Sequence, residues 1–165
     1  MKILYKQGSG ESSLFYNFGI ENLYLKEISE VSDSRLVTKK EHSHAGYEIH
    51  IVTEGEQIYE TSGEKYLVQS GSFIIIPPRA RHCVASSLPG SRKYSITFSV
   101  RKNSADPFFE QQTKVLFGKY DSEIAYILQK ISEEYRYARV LSSLLVENSA
   151  FELTVKLFRL AGFEE

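Results

Sequence analysis

Apolar and polar positions divide the chain into two regimes. From about residue 14 to 100, short apolar or alternating runs are broken by turn residues every ten or so positions, the spacing of an antiparallel sandwich or barrel. The runs are LYLKEI, YEIHIVT, QIYET, KYLV, SFIII and KYSITFSV. In the last, Tyr94, Ile96, Phe98 and Val100 alternate with Ser95, Thr97 and Ser99, the period of a strand with two different faces. Ser62-Gly63, Ser70-Gly71 and Pro89-Gly90 supply turn chemistry between runs. Pro77-Pro78 ends the SFIII strand, because proline donates no hydrogen bond to a ladder.

After about residue 105 the period lengthens. Asp121 is placed to cap a helix, with Glu123 in its first turn. Ile124, Ile127, Leu128, Ile131 and Tyr135 then share one helical face. A second helix is predicted from about Leu144 to Leu160, with Phe151, Val155 and Phe158 on one stripe and Leu153, Leu157 and Leu160 on another. Apolar surface that wraps around a helix needs two partners. The sheet would cover one, and a second copy of the chain is expected on Phe151, Val155 and Phe158; packing of both stripes within one monomer is the alternative. This divides the chain into a β unit over 1–107 and a linker with a helical pair over 108–165.

Composition narrows the class. A length of 165 residues with 42% hydrophobic and 13% aromatic content suits one domain with a sizeable core. The 20 Lys and Arg are scattered and matched by 21 Asp and Glu, without the basic stripe of a nucleic-acid or anionic-membrane binder. The single Cys83 forms no internal disulfide, which favours a reducing compartment. No apolar run approaches the ~20 residues of a membrane span, and no signal-peptide core opens the chain. The expectation is a soluble, cytoplasmic protein.

The candidate chemistry lies in HSHAGYEIHIVTEG, residues 42–55, which holds three of the four histidines. His42 and His44 are two apart, so on extended chain they point to one side. Glu48, His50 and Val52 share a strand face, opposite Ile49 and Ile51. His82 follows a separate strand, and only a sheet that curls back on itself brings it to the others. Three imidazoles and a carboxylate (His42, His44, Glu48, His82) are a ligand set for Zn, Ni, Fe or Mn that leaves a coordination position open. A self-satisfied polar cluster is the alternative. By alternation His50 lines a pocket or is a buried, satisfied histidine. Arg79 and Arg81 would flank the pocket mouth, where guanidinium groups suit a carboxylate or phosphate. Tyr47, Tyr59, Tyr66 and Tyr94 offer stacking surface or plain packing, with Tyr94 taken as a pocket residue. No catalytic nucleophile is assigned; Cys83 should face away from His82.

These residues resemble a family pattern. His42-x-His44-x3-Glu48-x6-Gly55 is similar to the first cupin motif, and Gly71-x5-Pro77-x-Arg79-x2-His82 to the second. Leu36, Arg79 and Ser86 depart from it, standing where the motifs carry glycine, glycine and asparagine. With IIIPPRARHCV, the Tyr-x-Ile-x-Phe strand and the closing FELTVKLFRLAGF, the chain resembles the N-terminal effector-binding and dimerisation domain of AraC-type transcriptional regulators. The resemblance implies a mainly β fold, a cupin double-stranded β-helix or jelly-roll barrel followed by two C-terminal α-helices. It also implies a homodimer that binds a small effector, a sugar or a carboxylate, through His42, His44, Glu48, His50, Arg79, His82 and Tyr94. DNA contact would come only through a helix-turn-helix domain that this chain does not contain, and no membrane partner is implied. A small metal-dependent cupin enzyme, a dioxygenase or a sugar isomerase, is the competing reading, and a stand-alone metabolite-binding cupin is a third.

Overall fold

A computed structural model of the protein describes residues 5–8, 11–20 and 23–32 as backbone strands, and residues 40–100 and 113–162 in full. Among the described residues, ten strands form two antiparallel sheets, and two helices follow. The first sheet has seven strands in the order β1-β2-β3-β9-β4-β7-β10: β1 (Tyr5–Gly8), β2 (Glu11–Ile20), β3 (Leu23–Ser32), β9 (Arg92–Val100), β4 (Tyr47–Glu54), β7 (Ser72–Ile76) and β10 (Leu116–Lys119). The second has three, β6 (Glu64–Gln69), β5 (Glu56–Thr61) and β8 (His82–Ser87), in that order. Each apolar run of the β regime is a strand within a few residues of its expected ends. Two features differ. The strands begin at Tyr5 rather than near residue 14, and LFGK adds β10 to the edge of β7, pairing Leu116 with Ile75 and Lys119 with Ser72. A strand of four residues carries too short a pattern to stand out between a loop and a helix.

The turns do what their residues allow. Ser62 and Gly63 take φ of 54° and 79°, the left-handed pair that matches the twist of a two-residue hairpin between β5 and β6. Gly55 sits at φ 72°, and a Cβ there would lie 2.5 Å from Ser91 Oγ. That Ser91 hydroxyl donates to the Glu56 carbonyl at 3.0 Å, so the backbone crowds onto a side chain that pins two strand ends.

Both faces of the central strands are buried. Tyr47, Ile49, Ile51, Phe73, Ile75, Tyr94, Ile96 and Phe98 lie on the outer face of the large sheet, in one cluster with the helices. Val52, Ile74 and Ile76 point the other way, between the sheets, against Tyr59, Val68 and Val84 of the small one. The unbroken FIII of β7 is thereby explained: successive residues enter two different cores. The expected division near residues 107 and 108 lies outside the described residues.

Helix α1 (Ser122–Tyr137) begins as expected, with the Asp121 carboxylate accepting from the amides of Glu123 and Ile124 at 3.0 Å each, a cap worth about 1 kcal/mol. Its Ile124, Ile127, Leu128, Ile131 and Tyr135 are all buried. Helix α2 (Ser142–Leu160) starts two residues earlier than predicted. Its stripes are distributed differently from the expectation. Phe151 and Phe158 are only 7% and 4% exposed, inside the chain's own core. The Phe158 ring meets Tyr47 edge-on at 5.7 Å and Phe98 at 6.1 Å. Of the three residues expected at a dimer interface, Val155 alone faces outward, on a ridge with Leu141, Leu144 and Leu145. A sheet already covered on its inner face by β5, β6 and β8 offers its outer face to the phenylalanines first.

Candidate functional site

The site assembles where the two sheets meet at one end. His42 and His82 form a bridge outside the regular ladders, each donating its amide to the other's carbonyl at 2.9 Å. This pairing ties the segment before β4 to the start of β8. Arg79 contributes through its backbone: its amide donates to the His44 carbonyl at 2.8 Å from a φ of 65°. That left-handed conformation explains why the second motif carries glycine at this place. The Arg79 side chain is exposed, and Arg81 is engaged by Glu41 at the surface. Neither arginine reaches the interior.

Glu48 is the centre of the cluster. Its Oε2 lies 2.9 Å from His44 Nε2 and 2.8 Å from His82 Nε2. Its other oxygen, Oε1, lies 3.2 Å from His50 Nε2 and accepts from the Ser95 hydroxyl at 3.3 Å. His42 completes the group, with ring centroids 4.4 Å from His82 and 6.0 Å from His44. One donor atom from each of His42, His44, Glu48 and His82 can be chosen so that all lie within 4.8 Å of one another.

The far ends of the rings fix the tautomers. His44 Nδ1 lies 2.8 Å from the Gly46 carbonyl, His82 Nδ1 2.9 Å from Ala80 and His42 Nδ1 3.2 Å from Lys40. A carbonyl oxygen only accepts, so each Nδ1 carries the hydrogen. In the neutral ring Nε2 is then a bare lone pair, and two such lone pairs face one carboxylate oxygen. Acceptors do not approach to 2.8 Å without something between them that both can bind: a second proton on each ring, or a cation. Backbone carbonyls that hold the outer nitrogen and present the inner one are the usual support of histidine metal ligands. The residues fit a divalent transition metal. His50 has the opposite arrangement, giving its Nε2 hydrogen to Glu48, and supports the carboxylate rather than adding a ligand.

Charge follows from this packing. Burial pushes the Glu48 carboxyl up, but the surrounding imidazoles, His50 first among them, outweigh it and hold the group well below the usual carboxylate range. His50 is pushed down to about 4, chiefly by burial and then by Lys93, against the pull of Glu48. It is therefore neutral at pH 7 and serves Glu48 as a donor rather than as a charge.

The structure brings together five of the seven expected binding residues. His42, His44, Glu48 and His82 converge, and His50 lies directly behind them. Arg79 stays at the rim. Tyr94 is a correction: it lies on the outer face of β9, in the core shared with the helices, and its hydroxyl donates to the Leu128 carbonyl at 3.4 Å. The period-two pattern that made Tyr94 conspicuous puts its neighbours, Lys93 and Ser95, inside instead. Of the tyrosines considered for stacking, Tyr59 lies between the sheets with Tyr66 packed at the margin, while Tyr47 is on the helix side. Gln57, Ser87 and Lys93, all buried, line the interior beside Tyr59 and were not singled out by the sequence. For Lys93 the signal is the polar register of β9 opposite Tyr94, Ile96 and Phe98.

Comparison with known proteins agrees with this architecture. The AraC-like ligand binding domain family matches residues 28–153. No curated protein matches the chain. Among solved structures, the YhaK protein from Escherichia coli superposes with a TM-score of 0.52 at 8% identity, covering 67% of this chain and 51% of that one. A Cupin 2 conserved barrel domain protein from Salinispora arenicola is similar at 24% identity and a TM-score of 0.38, over 43% of this chain and 60% of that one. KdgF from a Halomonas species is similar at 20% identity and a TM-score of 0.44, over 60% of this chain and 87% of that one. The chain thus spans 60% and 51% of the length of two of these proteins. At such identities the likeness is one of fold. Among the described residues no helix is long and apolar enough to cross a membrane.

Proposed function

The chain belongs to the AraC-like ligand-binding domain family, and on that premise we propose that it senses a small effector between its sheets and passes occupancy to its helices. The observation that carries this reading is the alternation of β4. Glu48 and His50 face the site between the sheets, while Tyr47, Ile49 and Ile51 pack on the other side in the cluster that holds α1 and α2. A ligand that shifts β4 by a fraction of an ångström acts on the helix seat directly. It does so only to the extent that it binds two arrangements of that seat unequally.

The protein acts as a homodimer in this reading, through the outward ridge of α2 formed by Leu141, Leu144, Leu145 and Val155. DNA contact belongs to an attached helix-turn-helix module, and the setting is the cytoplasm. His42, His44, Glu48 and His82 would hold a divalent metal. When bound, the metal would supply a Lewis-acid contact for an oxygen of the effector. Glu48 is kept ionised for that task by the donors on its second oxygen, and the three histidines are held in the ligating tautomer by backbone carbonyls.

The complete ligand set favours one further reading, a metal-dependent cupin enzyme. The experiment that separates the two is amide hydrogen exchange of α1 and α2 with and without a bound small molecule, alongside assays of oxygen uptake and isomerisation. Slower exchange in the helices on binding, with no turnover, is the sensor's result. Turnover with unchanged helix exchange would overturn it.

A further inference from the structure

Between the two helices lies a half-open cleft of about 150 Å³ that shares no residue with the histidine cluster. Its walls include Lys130, Glu133 and Glu134 of α1 and Leu145, Ser149 and Glu152 of α2. Ser149 is only 6% exposed, and its hydroxyl makes no hydrogen bond among the described residues. A helical hydroxyl commonly bonds back to the carbonyl four residues earlier, as Thr154 does to Ala150 at 2.8 Å. Ser149 does not, and its hydroxyl is left to the cleft.

Two of the three carboxylates in the walls lack a close cation. Glu133 accepts from the neutral Gln129 amide at 3.0 Å and forms no ion pair among the described residues. Lys156 lies 3.9 Å from Glu152 but 2.7 Å from Glu123, its nearer partner. Glu134 is occupied by Arg139 at 2.9 Å and by the Ser142 hydroxyl. The Lys130 ammonium sits 5.7 Å from the centre of the Tyr126 ring rather than on a carboxylate. The walls thus carry three negative charges against one positive, and a cleft lined by one sign of charge collects ions of the other.

These groups specify an occupant. A primary ammonium has three hydrogens to donate. One suits the Ser149 oxygen, and Glu133 and Glu152 balance the charge. Leu145 offers an alkyl segment its apolar wall, and a cavity of about 150 Å³ takes a ligand the size of benzene, about six heavy atoms. An anion would meet the carboxylates, a neutral alcohol would gain nothing from them, and a quaternary ammonium would bring Ser149 no donor. We propose that the cleft between α1 and α2 binds a small primary alkylamine, its ammonium on Ser149 Oγ with Glu133 and Glu152 as counter-charge and its chain on Leu145. The assignment goes beyond the sensor reading and stands apart from the site between the sheets, so either can fail without the other.

The test is a titration of the purified chain followed by amide chemical shifts in NMR, at low ionic strength and about pH 7, where an alkyl ammonium is charged. The probes are butylamine and putrescine, with butanol, butyrate and tetramethylammonium as controls. At least one amine should give saturable shifts in the amides around Lys130–Glu134 and Leu145–Glu152, with an affinity at least ~10-fold above all three controls, the gain of one charged hydrogen bond. Ser149→Ala, which favours the helix, should weaken that amine about 10-fold. Glu133→Gln and Glu152→Gln should each weaken it about 2- to 5-fold, the range of an exposed ion pair. Three results would each overturn the assignment: no saturable shift in either helix with both amines, tetramethylammonium binding as well as the amine, or an unchanged affinity in folded Ser149→Ala. The second of these would show counter-ion attraction without a site.

Discussion

Replacing Glu48 by glutamine distinguishes the two things that can hold His44 and His82 against one oxygen. If the rings are neutral, with a cation between them in the loaded protein, the carboxylate of the metal-free protein faces two lone pairs. In Glu48→Gln the amide can turn its two hydrogens toward the Nε2 atoms, 2.9 and 2.8 Å away in the parent. Two neutral hydrogen bonds at roughly 0.5–1.5 kcal/mol each contribute about 1–3 kcal/mol. The carbonyl oxygen keeps the bonds from His50 and Ser95 but no longer as a charged acceptor, a loss of about 1 kcal/mol for each. The sum lies within about 2 kcal/mol of zero. If instead each ring is doubly protonated, the substitution breaks two buried charge pairs and stability falls by about 3–6 kcal/mol. Urea unfolding in EDTA at about pH 8, where ordinary imidazole is neutral, measures the difference. In the same variant zinc affinity, read by competition with a chromophoric chelator, should drop at least ~100-fold, because loss even of a supporting residue costs 10- to 100-fold. A stability loss above about 3 kcal/mol in EDTA would show a self-contained ion-pair network and refute the cation reading.

Four further outcomes are expected. His50 has a folded pKa of about 4, below its unfolded value near 6.5. The unfolded chain therefore takes up the proton first, and stability falls as pH drops from about 6.5 to 4, by up to ~3 kcal/mol. The parent should show this slope in urea unfolding and His50→Phe should flatten it; an equal slope in both would place the titration elsewhere. Phe158→Ala, which empties a position packed edge-on against Tyr47 and Phe98, should cost about 3–5 kcal/mol in unfolding without a specific effect on association. Leu145→Glu, at a 52% exposed site, should change stability by less than about 0.5 kcal/mol yet yield monomers in light scattering; a persistent dimer moves the interface off this ridge. Gly55→Ala should cost at least ~2 kcal/mol, since left-handed φ and the Ser91 contact add, whereas Gly63→Ala, which meets nothing within 4 Å, should cost only about 1 kcal/mol. Thermal unfolding of the pair separates conformational strain from collision.

Much of the site was legible because strands alternate strictly. His42 with His44, and Glu48 with His50, are assigned to one side by counting alone, and the ligand types are distinctive. The inward set on β9 was legible in principle too, but an unbroken apolar series draws attention to Tyr94 rather than to Lys93 and Ser95. Which side is inside depends on what covers each face of the sheet, and local pattern does not carry that information. The same limit applies to α2, where two apolar stripes are visible but Phe151 and Phe158 could serve the sheet or a second chain equally well until the helix is placed.

Hydrophobic period, turn chemistry and motif spacing were enough to establish a β domain followed by two helices, with its candidate chemistry in residues 42–55 and at His82, because each depends on neighbours a few residues apart. Tertiary structure decided what depends on distance: the His42–His82 bridge that joins segments forty residues apart, and the backbone carbonyls that choose each tautomer. It also decided the burial of Lys93 and the half of α2 that remains uncovered. A side chain's direction along its own strand is set locally by covalent geometry. What it meets there is set by which sheet or helix the rest of the chain packs against it.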